Sequence, residues 1–165
     1  IFLSPSTHWL AVTSHRPSWI RFLIFKNSKK AKLQALENEK LAADFLANNS
    51  KADDVHETAS GLQYKIEQSS GNDTKPSATS KVKVHYHGTL MDGSVFDSSV
   101  VRNSPISFGL NQVIAGWTEG LQLMNEGDKF TFYIPPQLAY GRKRVGSIPA
   151  GSLLIFDVEL IKIES

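Results

Sequence analysis

Few residue constellations in this 165-residue chain could do chemistry, and most of those fail on inspection. Cysteine is absent, which removes thiol nucleophiles, disulfide scaffolds, Cys-ligated zinc and iron–sulfur clusters. His85 and His87 stand two apart, so a strand would put both imidazoles on one face, a spacing some metal sites use. No Cys or nearby clustered carboxylate completes such a site, and the pair reads as a solvated strand face. No serine occupies a G-x-S-x-G elbow, and neither histidine has an evident acidic partner for a Ser-His-Asp arrangement. Phosphate-cradling loops are missing: there is no GxGxxG or GxxxxGK[ST], and the run Gly116–Gly120 lacks the lysine. What remains is apolar. Tyr86, Phe96, Phe108, Trp117, Tyr140 and Phe156 come from separate segments, accompanied by Asp97, Val113 and Ile114. Such a set is either plain core or the lining of an apolar pocket, and its order along the chain decides between them.

The elements that must carry these residues follow from periodicity. Val82, Val84 and Tyr86 alternate with Lys83, His85 and His87, which predicts a half-buried strand. Leu62, Tyr64 and Ile66 alternate in the same way, as do Phe130, Phe132 and Ile134 before Pro135-Pro136, and Leu154, Phe156, Val158 and Leu160. Asp92-Gly93 is a hairpin turn signal, and residues 69–80 form a loop. Val113, Ile114, Trp117, Leu121 and Met124 recur at helical spacing, so one short helix lies among antiparallel strands. The expected fold class is α+β: a curled antiparallel sheet wrapped around one short helix.

Ahead of this domain (residues 62–165) stand a polar connector (51–61), an amphipathic helix (29–50) and a leader (1–28). The helix rests on Lys/Glu/Leu/Ala composition, with Leu33/Leu36 and Leu41/Phe45 at i,i+3 and i,i+4, and Asn48-Asn49-Ser50 as its stop. Its apolar stripe packs either on the domain or on a partner helix. The leader is expected to be irregular, because Pro5, Pro17 and several serines break its periodicity. Trp19–Phe25 is too short to span a bilayer, which needs about 20 apolar residues. The basic cluster follows this run instead of preceding it, unlike an intact secretory signal, so the leader reads either as a disordered segment or as a damaged or misassigned targeting segment.

The net charge of +2 is unevenly spread: residues 1–30 hold five basic residues and no acidic one, leaving 13 basic against 16 acidic residues and a net of −3 beyond. The main domain is mildly acidic, so it offers no electrostatic footprint for nucleic acid. A mean hydropathy of −0.22 with 10% aromatic residues argues against a multi-span membrane protein and against wholesale disorder.

The blocks Val84-His-Tyr-His-Gly-Thr-Leu-Met-Asp-Gly93, Phe96-Asp-Ser-Ser99, Gln112-Val-Ile-Ala-Gly-Trp-Thr-Glu-Gly120, Ile134-Pro-Pro-Gln-Leu-Ala-Tyr-Gly141, Ile148-Pro149 and Leu154-Ile-Phe-Asp-Val-Glu-Leu160 occur in this order. Together they closely resemble the FKBP-type peptidyl-prolyl cis–trans isomerases over about residues 62–163. The Lys/Glu/Leu/Ala helix and Thr58-Ala-Ser-Gly-Leu-Gln-Tyr64 look more narrowly like the macrophage infectivity potentiator branch, in which a longer N-terminal helical region makes a dimer. The resemblance therefore implies a dimer through the N-terminal helix.

The resemblance places catalytic positions at Tyr86, Phe96, Asp97, Ile114, Trp117, Tyr140 and Phe156, and substrate-binding positions at Arg102, Ile106, Val113, Ala139 and Ile148. Trp117 is then the floor under the proline ring, Phe96, Val113, Ile114 and Phe156 are walls, and Arg102 braces Asp97. The Ile114 N–H and the Tyr140 hydroxyl are donors to substrate carbonyls. Ile106 stands where many relatives carry an aromatic, and Arg142-Lys-Arg-Val-Gly-Ser147 replaces a Gly-rich flap. The implied partners are proline-containing polypeptides, with macrolides such as rapamycin and tacrolimus as inhibitors. The implied reaction needs no cofactor or metal, and the family is compatible with periplasmic, secretory and cytoplasmic compartments. A second class of function fits the same residues: a proline-binding chaperone or recruitment module with an idle pocket. A protease-coupled proline-peptide assay separates the two.

Overall fold

Alternation decides the strands at the centre. In β3 (Lys81–Thr89) Val82, Val84, Tyr86 and Gly88 are buried, while Lys81, Lys83, His85 and His87 face outward. In β7 (Leu154–Ile163) Leu154, Phe156, Val158 and Leu160 are buried in the same alternation. These two strands pair antiparallel in the middle of a seven-stranded sheet. β1 (Val55–Glu57), β2 (Gln63–Gln68) and β6 (Lys129–Ile134) extend it beyond β7, and β4 (Val95–Ser98) extends it beyond β3. The sheet is curled but open. The computed structural model describes residues 18–164.

On its outer side β3 has two partners in succession. Lys81–Val84 pair with β5 (Ile106–Gly109), and His87–Thr89 pair with β4. Between them the chain leaves the sheet in a four-residue helix, α2 (Ser99–Arg102). The interruption was not expected from the sequence, since one helical turn leaves no periodic signal. Its consequence is local: the edge of β3 opens where Asp97 and Arg102 stand.

The predicted short helix is α3 (Ala115–Leu121), entered through a 3-10 turn at Leu110–Gln112. Val113, Ile114, Trp117, Leu121 and Met124 are all buried against the concave face of the sheet. Gly116 and Gly120 allow that approach. A Cβ at Gly116 would lie 2.5 Å from the Ile134 side chain, and one at Gly120 would lie 2.7 Å from Phe132.

The N-terminal helix, α1, spans Ser18–Asn49. The irregular leader expected through residue 28 is thus corrected from Ser18 onward, because neither Pro nor Gly occurs between residues 18 and 60 to stop a helix. The rest of that expectation, residues 1–17, falls outside the described residues. The packed face also differs from the leucine stripe. Leu33, Leu36 and Leu41 are exposed. Ala35 and Ala42 are buried, and Phe45 meets Tyr133 with ring centroids 6.0 Å apart. Small side chains let α1 lie close to the domain. The side chains of Asn49 and Gln63 are hydrogen-bonded at 2.9 Å, and Gln63 Nε2 donates to the Leu46 carbonyl at 2.9 Å. Among the described residues no helix is long and apolar enough to cross a membrane.

Candidate functional site

The opened edge of β3 builds a polar corner. Ser98 caps α2, accepting the Val101 N–H at 3.1 Å, and Asn103 ends it in the left-handed conformation (φ 51°). The Ser99 hydroxyl accepts the Tyr86 N–H at 2.7 Å, so the strand amide finds a side-chain acceptor where the ladder is interrupted. This arrangement points Asp97 and Arg102 at the Tyr86 hydroxyl. Tyr86 donates to Asp97 Oδ2 at 2.7 Å and accepts from Arg102 Nη2 at 2.9 Å, while Arg102 Nη1 pairs with Asp97 Oδ1.

Burial and the hydrogen bond to Asp97 push the Tyr86 phenol up to about 12. The phenol thus remains a donor throughout the physiological range. The Arg102 guanidinium is held above its ordinary value by Tyr86 and Asp97. Both Asp97 carboxylate oxygens are engaged within the fold, which suits an orienting group better than a proton acceptor.

Behind this corner the aromatic rings interlock edge to face. Trp117 lies 5.4 Å from Tyr86, 5.2 Å from Phe156 and 5.3 Å from Phe108, centroid to centroid. Phe96 stands perpendicular to Phe156 at 5.3 Å. Such contacts each contribute about 0.5–1.5 kcal/mol beyond area burial. Gly88 makes the last of them fit, since a Cβ there would lie 2.7 Å from Phe96 and 2.8 Å from Phe156. The buried Trp117 Nε1 donor has no hydrogen-bond partner among the described residues.

Two further segments complete the surroundings. Ile114 is the N-cap of α3, and its carbonyl accepts the N–H groups of Trp117 and Thr118 at 3.0 and 3.1 Å. Tyr140 follows the 3-10 turn Pro136–Leu138 and opens the loop that ends at Gly151. Burial first, then the negative charge of Asp97, raises its phenol above the ordinary value. Val113, Ile114, Tyr140 and Ile148 share the buried cluster of Tyr86, Trp117 and Phe156, with Phe96 and Ala139 half-buried against it. Ile106 is exposed on β5, where it rims a cleft of about 600 Å³ with Phe108, Gln112 and Val113.

Of the twelve residues singled out from the sequence, nine lie in or against one apolar cluster and Asp97 and Arg102 stand at its polar corner, while Ile106 lies outside it, in the adjoining cleft that shares Phe108 and Val113 with the cluster. Sequence reasoning left out Gly88, Ser98 and Ser99, whose roles depend on close approach and on a bulged edge. Gly88 and the two serines do lie inside the blocks quoted for the family resemblance, which is the one signal that could have found them. His85 and His87 face the other side of the sheet and share hydrogen bonds with Ser99 (2.6 Å) and Ser98 (2.8 Å). Among the described residues no group of three or more His, Asp or Glu is arranged to hold a metal ion.

Comparison with known proteins gives two family matches. Residues 72–161 match the FKBP-type peptidyl-prolyl cis-trans isomerase model, and residues 20–66 match the domain amino terminal to FKBP-type peptidyl-prolyl isomerase. The chain is 56% identical over 135 residues to the FKBP-type peptidyl-prolyl cis-trans isomerase FkpA of Aeromonas hydrophila, covering 82% of this chain and 50% of that protein. It is 44% identical over 136 residues to the FKBP-type 22 kDa peptidyl-prolyl cis-trans isomerase of Escherichia coli, covering 82% and 65%. The crystal structure of FkpA from Escherichia coli superposes with a TM-score of 0.84 at 37% identity, covering 88% of this chain and 68% of that one. The chain spans about half the length of the first curated relatives it matches, 50%, 58% and 51%.

Proposed function

This chain belongs to the FKBP-type peptidyl-prolyl cis–trans isomerase family, and on that premise we propose that it accelerates rotation about X-Pro bonds in polypeptides and so assists their folding. The observation that carries this reading is the ring cluster around Trp117 closed at one corner by the pinned Asp97.

An X-Pro amide must pass through a twisted state about 18–20 kcal/mol above the planar one, because resonance is lost there. Uncatalysed exchange therefore takes tens to hundreds of seconds. The planar amide is the more charge-separated form. An apolar enclosure favours the twisted form by comparison, which lowers the barrier without a nucleophile or a proton transfer. Trp117 is the floor beneath the proline ring, with Phe96, Val113, Ile114 and Phe156 as walls and Ala139, Ile106 and Ile148 at the margin. The Ile114 N–H and the Tyr140 hydroxyl donate to substrate carbonyls, and Tyr86, Asp97 and Arg102 fix the polar corner. Each factor of ten in rate takes about 1.4 kcal/mol, so a few oriented hydrogen bonds and desolvation are enough.

Rapamycin and tacrolimus compete for this pocket, and Ile106 on its rim weakens the contact that an aromatic would make. Two copies associate through α1; support comes from Trp19, Leu23, Leu33, Leu36 and Leu41, which expose apolar surface along it. A protease-coupled assay on a proline peptide, with and without macrolide, tests the activity. An unchanged slow phase at saturating protein rejects isomerisation and leaves proline binding alone. Sedimentation of the full chain tests the dimer.

A further inference from the structure

The loop from Arg142 to Gly151 is a small closed flap beside the pocket. Its base is tied by the Gly151 N–H donating to the Gly141 carbonyl at 2.8 Å. Near its tip Val145 and Ile148 exchange hydrogen bonds of 3.0 and 2.8 Å. Tyr140 precedes the flap and Ile148 lies within it, both buried in the pocket cluster. Wherever the two legs of the flap sit, those side chains sit.

Both legs rest on α1. Arg142 Nε donates to Glu39 Oε1 at 2.7 Å and Nη2 to Oε2 at 3.4 Å, a two-point contact that fixes orientation as well as distance. Asn38 Nδ2 donates to the Ala150 carbonyl at 2.8 Å. Gly151 (φ +74°) lies directly under the helix backbone, since a Cβ there would come within 2.4 Å of the Ala35 carbonyl oxygen. Ala35 and Ala42 bury the same helix face, and Phe45, Leu46 and Asn49 continue it onto β2 and β6. One face of α1 therefore runs from the far edge of the sheet to the flap. The helix is a strut between them, not an appendage.

We propose that residues 35–42 of α1 are a working part of the substrate site, with Asn38 and Glu39 as positioning residues that hold the flap and, through it, Tyr140 and Ile148. This rests on the reading of the pocket given above. A further consequence follows for the flap charges: Arg142 is spent on the strut, which leaves Lys143 and Arg144 exposed toward solvent.

The test uses the full chain with two variants, Asn38→Ala/Glu39→Ala and the charge swap Glu39→Arg/Arg142→Glu. Amide hydrogen exchange is followed at Lys143, Val145 and Ile148, alongside kcat/KM on a proline peptide. The double alanine variant should raise exchange at those amides about fivefold, the effect of losing a good ion pair and a hydrogen bond. It should lower kcat/KM at least threefold while β3 and β7 amides exchange as before. The swap should bring both readouts back to within about twofold of the parent. Unchanged flap exchange overturns the strut. So does an equal rise throughout the sheet, which marks general loosening, and so does faster flap exchange with unaltered kcat/KM. If the parent protein has no isomerase activity, the reading of the pocket fails, and the exchange data alone decide whether α1 holds the flap.

Discussion

Replacing Gly88 by alanine tests how tightly the pocket walls are set. The residue lies on β3 opposite Phe156 of β7 and Asp97 of β4. An added Cβ would sit 2.7 Å from the Phe96 ring and 2.8 Å from the Phe156 ring. Carbon atoms are comfortable at about 3.5–4.0 Å, so one or both rings must retreat by roughly 0.8 Å. Phe156 is fully buried between Trp117 and Tyr86 and has nowhere to go. Phe96 is half-buried, so it is the ring expected to give way. Burying one more methyl group contributes about 0.8 kcal/mol, but overpacking costs about 1–3 kcal/mol and here also spoils the perpendicular Phe96–Phe156 contact. The expected net loss is ~1–2 kcal/mol, read as a fall in Tm of roughly 2–8 °C by calorimetry. Displacing a wall by about an ångström should cost ten- to a hundredfold in kcat/KM on a proline peptide. A Gly88→Ala protein that melts like the parent and keeps its activity would show that neither ring is held where catalysis needs it.

Three other outcomes follow from the same geometry. Trp117→Leu should leave a folded domain but reduce kcat/KM at least tenfold and weaken rapamycin binding in a calorimeter; parent-like turnover in the folded variant removes Trp117 as the floor. The Tyr86 phenol ionises in the fold only near pH 12 against about 10 when unfolded, so the stability it contributes is complete below pH 10 and is lost as pH rises through 12. Tm measured from pH 9 to 12 should fall less steeply in Tyr86→Phe, and identical slopes refute that assignment. Lys143 and Arg144 should favour peptides with acidic residues beside the proline. The advantage should shrink as the Debye length drops from about 30 Å at 0.01 M salt to about 8 Å at 0.15 M, and should vanish when both residues become Gly.

Legibility in the sequence tracked the length scale of each contact. β3 and β7 were readable because a sheet with one buried face forces a period of two on its residues, as Val82/Val84/Tyr86 and Phe156/Val158/Leu160 display. The aromatic cluster was readable as a set of conspicuous residues, and the order of the blocks around them carried the family. The break between β4 and β5 was not, although it orients Asp97 and Arg102. It depends on Ser98 and Ser99 replacing strand partners, and a serine looks the same in any polar turn.

α1 is the element whose orientation the sequence leaves open, since its apolar stripe admits packing on the domain or on a partner helix. Leucines at helical spacing invite the inference that they face the core, because burying a leucine is worth about 1.5–3 kcal/mol. Here the helix instead turns Ala35, Asn38, Glu39 and Ala42 toward the domain and leaves Leu33, Leu36 and Leu41 in contact with solvent. Two conditions make this the preferred orientation. The surface α1 meets at the flap is backbone, the Ala150 carbonyl and Gly151, which only small or hydrogen-bonding side chains can approach. The Arg142–Glu39 pair also joins residues 103 apart, so no local period encodes it. A helix matched to polar backbone on one side and keeping its leucines on the other has two faces to satisfy. On the proposed strut the site draws on the first, and association of copies through α1 would bury the second.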